Sequence, residues 1–101
     1  MFVVMVKFPP IKAGKATEFQ QWFVSSNRVF SGFEGFVRRR LLKLVEGEAY
    51  AAIVEFETQV AFQAMHNSPI HDMYGEQVMP LFDGTPLPAF YEVVVDSKLP
   101  E

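Results

Sequence analysis

The side chains best suited to moving a proton in this chain are two histidines and a tyrosine. His66 and His71 are its only histidines, and an imidazole titrates near neutrality, at about 6.5 when unperturbed. Tyr74 follows His71 by three residues, a spacing that places both on one side of a helix. They are the only close pair of proton-active aromatic side chains on a predicted apolar-faced helix. His71 therefore reads as a general base or hydrogen-bond partner, and Tyr74 as a hydrogen-bond donor to a substrate oxygen. His71 reads equally well as a half-exposed residue near the start of its helix. Lys7 is the one charge in an otherwise apolar stretch; facing the same space, it would stabilise an enolate or phenolate. Trp22, Phe23, Met65 and Met73 are candidates to line an apolar pocket for a flat aromatic substrate, or are simply core.

Other chemistries find less support. His66 and His71 are five apart with Pro69 between them, so the i, i+4 spacing of a helical metal pair is missing, and there is no cysteine. No metal site is expected. Ser25, Ser26, Ser31, Ser68 and Ser97 lie in no nucleophile-elbow motif, and no glycine-rich phosphate loop or dinucleotide fingerprint occurs. Arg38, Arg39 and Arg40 are consecutive on a predicted strand, so alternation sends Arg38 and Arg40 to one face and Arg39 to the other. At least one of them binds an anionic ligand group or an acidic residue of a partner, or the run is a solvated edge that blocks aggregation; the second reading is preferred. The net charge of −3 and pI near 5.3 argue against nucleic acid as a partner. The absence of cysteine excludes disulfides and fits a reducing compartment. The apolar start, MFVVMVKFPP, is too short to span a bilayer and no basic region precedes it, so no membrane association and a cytoplasmic location are expected.

The elements that must position these residues follow from periodicity. A strand is predicted over Phe2–Phe8, stopped by Pro9-Pro10. A helix follows over Gly14–Phe30, with Ala16, Phe19, Phe23, Ser26 and Phe30 on its apolar face. A hairpin is predicted from Phe36–Val45 and Ala49–Phe56 around Glu46-Gly47-Glu48. Thr58 caps a short helix over Gln59–Asn67, and Ser68-Pro69 restarts a helix that runs to roughly Phe82, frayed at Pro80. Ala89–Val95 is the last predicted strand. The order β-α-β-β-α-β is the ferredoxin-like pattern of an α+β domain, with an antiparallel sheet and both helical regions on one face. Yet the strands are apolar on both faces. The simplest cover for the second face is another copy of the chain, so a homodimer through the sheet face is expected. The domain is expected over residues 1–96, followed by a polar tail over 97–101.

Several stretches carry a family resemblance: Ala13-Gly14 opening the first helix, Gly32-Phe33-Glu34-Gly35-Phe36 before the second strand, Val54-Glu55-Phe56-Glu57 followed by Ala61-Phe62, Asn67-Ser68-Pro69 with His71, and Phe90-Tyr91-Glu92-Val93-Val94 near the end. In this order and at this length the chain resembles the antibiotic biosynthesis monooxygenase domains, which are dimeric α+β barrels. The resemblance implies a homodimer with a ligand cavity between sheet and helices in each subunit. It implies a cofactor-independent monooxygenase acting on a small phenol, quinol or polyketide-like aromatic, with no cofactor required. Its alternatives are a haem-binding or haem-degrading protein and a non-catalytic dimeric module for a small hydrophobic ligand. Haem-degrading members use an asparagine on the first strand, a tryptophan in the second helical region and an axial histidine beyond it. Those positions here hold Lys7, Met65, and Tyr74 or Gly75, which departs from the haem-degrading pattern at all three.

Overall fold

Pro9 and Pro10 have no N–H to give to a ladder, and the first strand, β1, stops just short of them at Phe2–Lys7. The computed structural model describes residues 1–98, so the last three residues of the expected tail lie outside the described residues. A helix, α1, follows over Ala16–Phe30. It begins two residues later than expected because Gly14, at φ +78°, belongs to the preceding turn. The hairpin strands are β2 (Phe36–Lys43) and β3 (Tyr50–Phe56). Two helices, α2 (Gln59–His66) and α3 (Pro69–Val78), are capped as their sequences demand: the hydroxyls of Thr58 and Ser68 accept from the backbone N–H of Ala61 and His71. Pro80 ends α3 early, and a short 3-10 helix over Met79–Leu81 replaces its last turn.

The last strand, β4, runs over Leu87–Glu92, not the expected Ala89–Val95. It includes Pro88, which is tolerated because β4 pairs only with β1 and so lies at an edge. The sheet is antiparallel throughout, in the order β2-β3-β1-β4. With the helices packed on one face, this is the ferredoxin-like α+β fold.

Alternation sorts the side chains. Phe2, Val4, Val6 and Phe8 face the helices, as do Tyr50, Ala52, Val54 and Phe56 opposite them. Two aromatic-rich clusters form there, one around Phe30, Phe56 and Phe62, the other around Phe19, Tyr50 and Phe82; Trp22 packs against both. The opposite face carries Val3, Met5, Ile53 and Tyr91 by the same alternation, and Tyr91 is 52% exposed. Alternation is interrupted once. Between Phe36 and Arg38 the register slips by one residue, a β-bulge at Val37. Phe36 lies against Phe56 on the helix side. Beyond the bulge it is Arg39, opposite Val54, that points the same way, while Arg38 pairs with Glu55 on the outer face.

The connection that delivers β2 to this register turns on Gly35. Its φ is +79°, and a Cβ built there would sit 2.6 Å from the Cβ of Ala61. Its carbonyl also accepts from the N–H of Glu57 at 2.8 Å. Gly35→Ala is expected to lower unfolding free energy by about 1–3 kcal/mol, the scale of a forced left-handed residue. Urea denaturation reads this directly, and an unchanged midpoint would show that the turn and Ala61 yield without strain.

Candidate functional site

Sheet and helices do not close completely on each other. A cavity of about 280 Å³ remains between them. Its floor is β1 and β3, through Val4, Val6, Ala52 and Val54, with Pro88 and Phe90 of β4 at the side. Trp22 and Phe30 of α1 bound it from above, and Met65, His66, His71, Tyr74, Gly75 and Val78 close the wall made by α2 and α3. The lining is largely apolar and aromatic, with its polar groups gathered at one end, as small-ligand sites are built.

The break between α2 and α3 creates that polar end. Ser68-Pro69 turns the chain, so that His66, at the end of α2, meets His71, in the first turn of α3. Their ring centroids are 4.5 Å apart. Helical spacing cannot reveal this contact, because it assumes an unbroken helix. His71 also stacks on Phe30 and His66 on Phe62. Loss of hydration pushes the His71 pKa below its ordinary 6.5; neighbouring His66 adds to this, Asp72 opposes it and Arg39 adds a further downward push. His71 is therefore a neutral imidazole at pH 7, with a ring lone pair available to take a proton.

The ring of Tyr74 is buried edge-on to Phe30, and its hydroxyl lies 3.4 Å from the Ser25 Oγ. Its backbone carbonyl accepts from the Trp22 indole N–H at 2.9 Å, tying α1 to α3 at the cavity wall. Gly75 opens that wall: a Cβ built there meets nothing within 4 Å. A mid-helix glycine lowers helix stability by about 0.5–1 kcal/mol relative to alanine, and this one stands where the backbone borders open space.

Arg39 is the functional candidate that sequence reasoning undervalued. The preferred reading of a solvated arginine run holds for the exposed Arg38 and Arg40, but Arg39 is turned inward and borders the cavity. Its guanidinium carbon lies 4.0 Å from the ring centre of Phe23, 5.0 Å from Phe30 and 5.5 Å from Trp22. Its Nη1 donates to Ser26 Oγ at 2.6 Å and Asn27 Oδ1 at 2.9 Å. Burial lowers its pKa from 12.5 to about 10, so it stays charged at neutral pH. The available signal was the inward side of β2, but the bulge at Val37 hides it from simple alternation.

The structure brings His71, Tyr74, Trp22 and Met65 together around the cavity. It leaves three other candidates outside. Lys7 is exposed on the opposite face of the sheet, in register with Ala51 and Leu87. Phe23 is buried beneath the Arg39 guanidinium, and Met73 is largely exposed on the far side of α3. Among the described residues no group of three or more His, Cys, Asp or Glu side chains could hold a metal ion. No helix among them is long and apolar enough to cross a membrane.

The sequence profile described as antibiotic biosynthesis monooxygenase matches residues 1–77. No curated protein matches the chain in sequence. Among solved structures, it is similar to SnoaB, a cofactor-independent oxygenase from Streptomyces nogalater, at 23% identity and a TM-score of 0.80, over 99% of this chain and 98% of that one. It is similar to the haem-degrader MhuD from Mycobacterium tuberculosis, solved with two haems in its active site, at 28% identity and a TM-score of 0.73, over 95% and 99% of the two chains. A conserved protein from Methanosarcina mazei superposes with a TM-score of 0.80 at 15% identity, over 90% and 91%.

The burial of His71 has a pH signature. A histidine whose folded pKa lies below its unfolded value binds fewer protons when native, so stability is full above about 6.5 and falls as pH drops through the window below it. Melting curves from pH 8 to pH 5 are therefore expected to show a larger loss of Tm for the wild type than for His71→Gln. Equal losses would mean that His71 titrates as a solvated residue.

Proposed function

The chain belongs to the antibiotic biosynthesis monooxygenase family, and we propose that it is a cofactor-independent monooxygenase whose substrate is a small electron-rich phenol or quinol. The observation that carries this reading is the cavity itself: an apolar, aromatic-lined space with its proton-active groups, His66, His71 and Tyr74, confined to one wall. Such a space holds a flat ring, and the polar wall meets the one group on that ring that must lose a proton.

The chemistry then falls mainly to the substrate. Neutral His71 takes the phenolic proton. The resulting phenolate gives one electron to dioxygen, and the aryloxyl radical and superoxide combine to form a carbon–oxygen bond at a ring carbon that still bears hydrogen. The peroxide takes up a proton, the ring C–H proton leaves, and the O–O bond breaks. One oxygen remains as a quinone carbonyl and the other departs as water, so phenol and dioxygen give quinone and water. In this scheme the Tyr74 hydroxyl, 3.4 Å from the Ser25 Oγ, exchanges that long contact for the substrate oxygen. Trp22 and Met65 position the ring. Lys7, on the far face of the sheet, has no part in this scheme.

Haem is the second reading, favoured by the imidazoles of His66 and His71 at the cavity. The remaining residues do not fit haem degradation. The position of the amide is taken by Lys7 outside the cavity, that of the indole by flexible Met65, and that of the axial histidine by Tyr74 or Gly75.

The same reading includes a homodimer. The outer sheet face bears Met5, Leu87 and Tyr91, all exposed in the single chain, and a second copy is the simplest cover.

With an active phenol in hand, His71→Ala and Tyr74→Phe are each expected to lower kcat/KM about tenfold or more; wild-type rates in both would move the chemistry elsewhere. Haemin titrated into the wild type is expected to give no tight, saturable Soret shift, and one followed by ring opening on reduction in air would promote the haem reading. Light scattering at micromolar concentration is expected to return about twice the 11.5 kDa chain mass, whereas a clean monomer would remove the dimer.

A further inference from the structure

A guanidinium carries its charge at every physiological pH, and proteins that bury one pair it with a carboxylate or give it another anion. Arg39 has no such partner among the described residues. None of the ion pairs among the described residues includes it: Glu55 is taken by Arg38 on the outer face, and the other two pairs are Lys15 with Glu18 and Lys43 with Glu48. What surrounds it is aromatic, with Phe23, Phe30 and Trp22 against the guanidinium plane.

The hydrogen bonds are as uneven as the charge. An arginine has five N–H donors. All the protein acceptors of Arg39 converge on one nitrogen, Nη1: the Ser26 hydroxyl, the Asn27 amide oxygen and, at 3.5 Å, the Phe23 carbonyl. Nε and Nη2 have no acceptor among the described residues. Yet no buried side-chain nitrogen or oxygen there is sealed off without a partner. The unengaged donors are therefore not closed into the core, and the space that Arg39 borders is the cavity. Ser26 and Asn27 hold one edge of the fork while the other edge is free to receive a two-oxygen acceptor.

We propose that Arg39 is the anion-reading residue of the cavity, and that the ligand is a planar aromatic acid whose carboxylate pairs with the Nε–Nη2 edge while its ring lies among Trp22, Phe30 and Met65. This rests on the cavity being the ligand site, as proposed above, and narrows the substrate to phenols or quinols that carry an acid group. The apolar surroundings make the pair strong, because little water competes for either charge. They also make it selective: a neutral analogue would leave the guanidinium desolvated and unpaired, which disfavours its binding. A purely structural Arg39, serving only to clamp β2 to α1, would be indifferent to ligand charge.

The test compares two isosteres, naphthoate and its primary amide naphthamide, by calorimetry on the wild-type full-length protein. Naphthoate is expected to bind at least about tenfold more tightly, the scale of a charge-assisted hydrogen-bonded pair. Arg39→Met is expected to abolish the preference, and Arg39→Lys to keep part of it, since a lysine retains the charge but not the fork. Equal affinity of the wild type for the two compounds, or an unchanged preference in Arg39→Met, would overturn the assignment; the wild-type comparison stands even if a variant does not fold. Gly75→Phe, which fills open space at the cavity wall, separates this from the underlying reading. Loss of both ligands in Gly75→Phe places them in the cavity, so that an absent charge preference then counts against Arg39 alone. Unchanged binding of both would remove the cavity as the ligand site, and with it the proposal.

Discussion

Alternation along four short strands, broken once by a bulge in β2, is the constraint from which this molecule follows. A strand sends successive side chains to opposite faces, and a one-residue slip exchanges the faces. In β1 this commits Val4 and Val6 to the helices and Lys7 to the far side. In β2 the bulge at Val37 makes the exchange, so Phe36 and Arg39 both face inward although they are an odd number of positions apart. Without it, Arg39 would lie outside with Phe36 inside, or the reverse. One irregularity in one edge strand therefore carries a charge into an otherwise apolar space.

The helices complete the site by imperfect closure. Aromatic rings dominate the interior, with Phe19 and Phe56 wholly buried, and their size supplies much of the hydrophobic stabilisation available to a chain this short. A cavity among such residues forfeits packing contacts. Gly75 in mid-helix and an inward arginine without an acid partner among the described residues each work against stability as well. Three unfavourable features gathered at one place mark a region shaped by something other than folding, since local rules are most often broken at functional sites.

Much of the fold was legible in the sequence, and the misses have physical causes. Thr58 and Ser68-Pro69 announced their helix starts, and the Phe2–Phe8 alternation correctly placed Lys7 opposite Val4 and Val6. What one strand cannot tell is which of its faces meets the helices, and that left Lys7 a candidate. The last strand begins earlier than its β-branched run suggested, because an edge position tolerates Pro88. The His66–His71 contact was hidden because it forms across a helix break and not along a helix. Arg39 was hidden because a bulge leaves no mark in a pattern of residue types. That His71, Tyr74, Trp22 and Met65 border the cavity was legible because helical periodicity puts each near an apolar face that must meet the sheet.

The chain's methionines offer the most direct measurement of whether this cavity receives an aromatic ligand. Met65 and Met79 border the cavity, whereas Met5 lies on the outer sheet face and Met73 on the exposed side of α3. With carbon-13 in the methionine methyl groups, titration with a naphthol and NMR detection reports on each place at once. Saturable shifts of Met65 and Met79, with Met5 and Met73 unmoved, are the expected result. Shifts confined to Met5 or Met73, or none at Met65 and Met79 under saturating ligand, would contradict a binding site between the sheet and the helices.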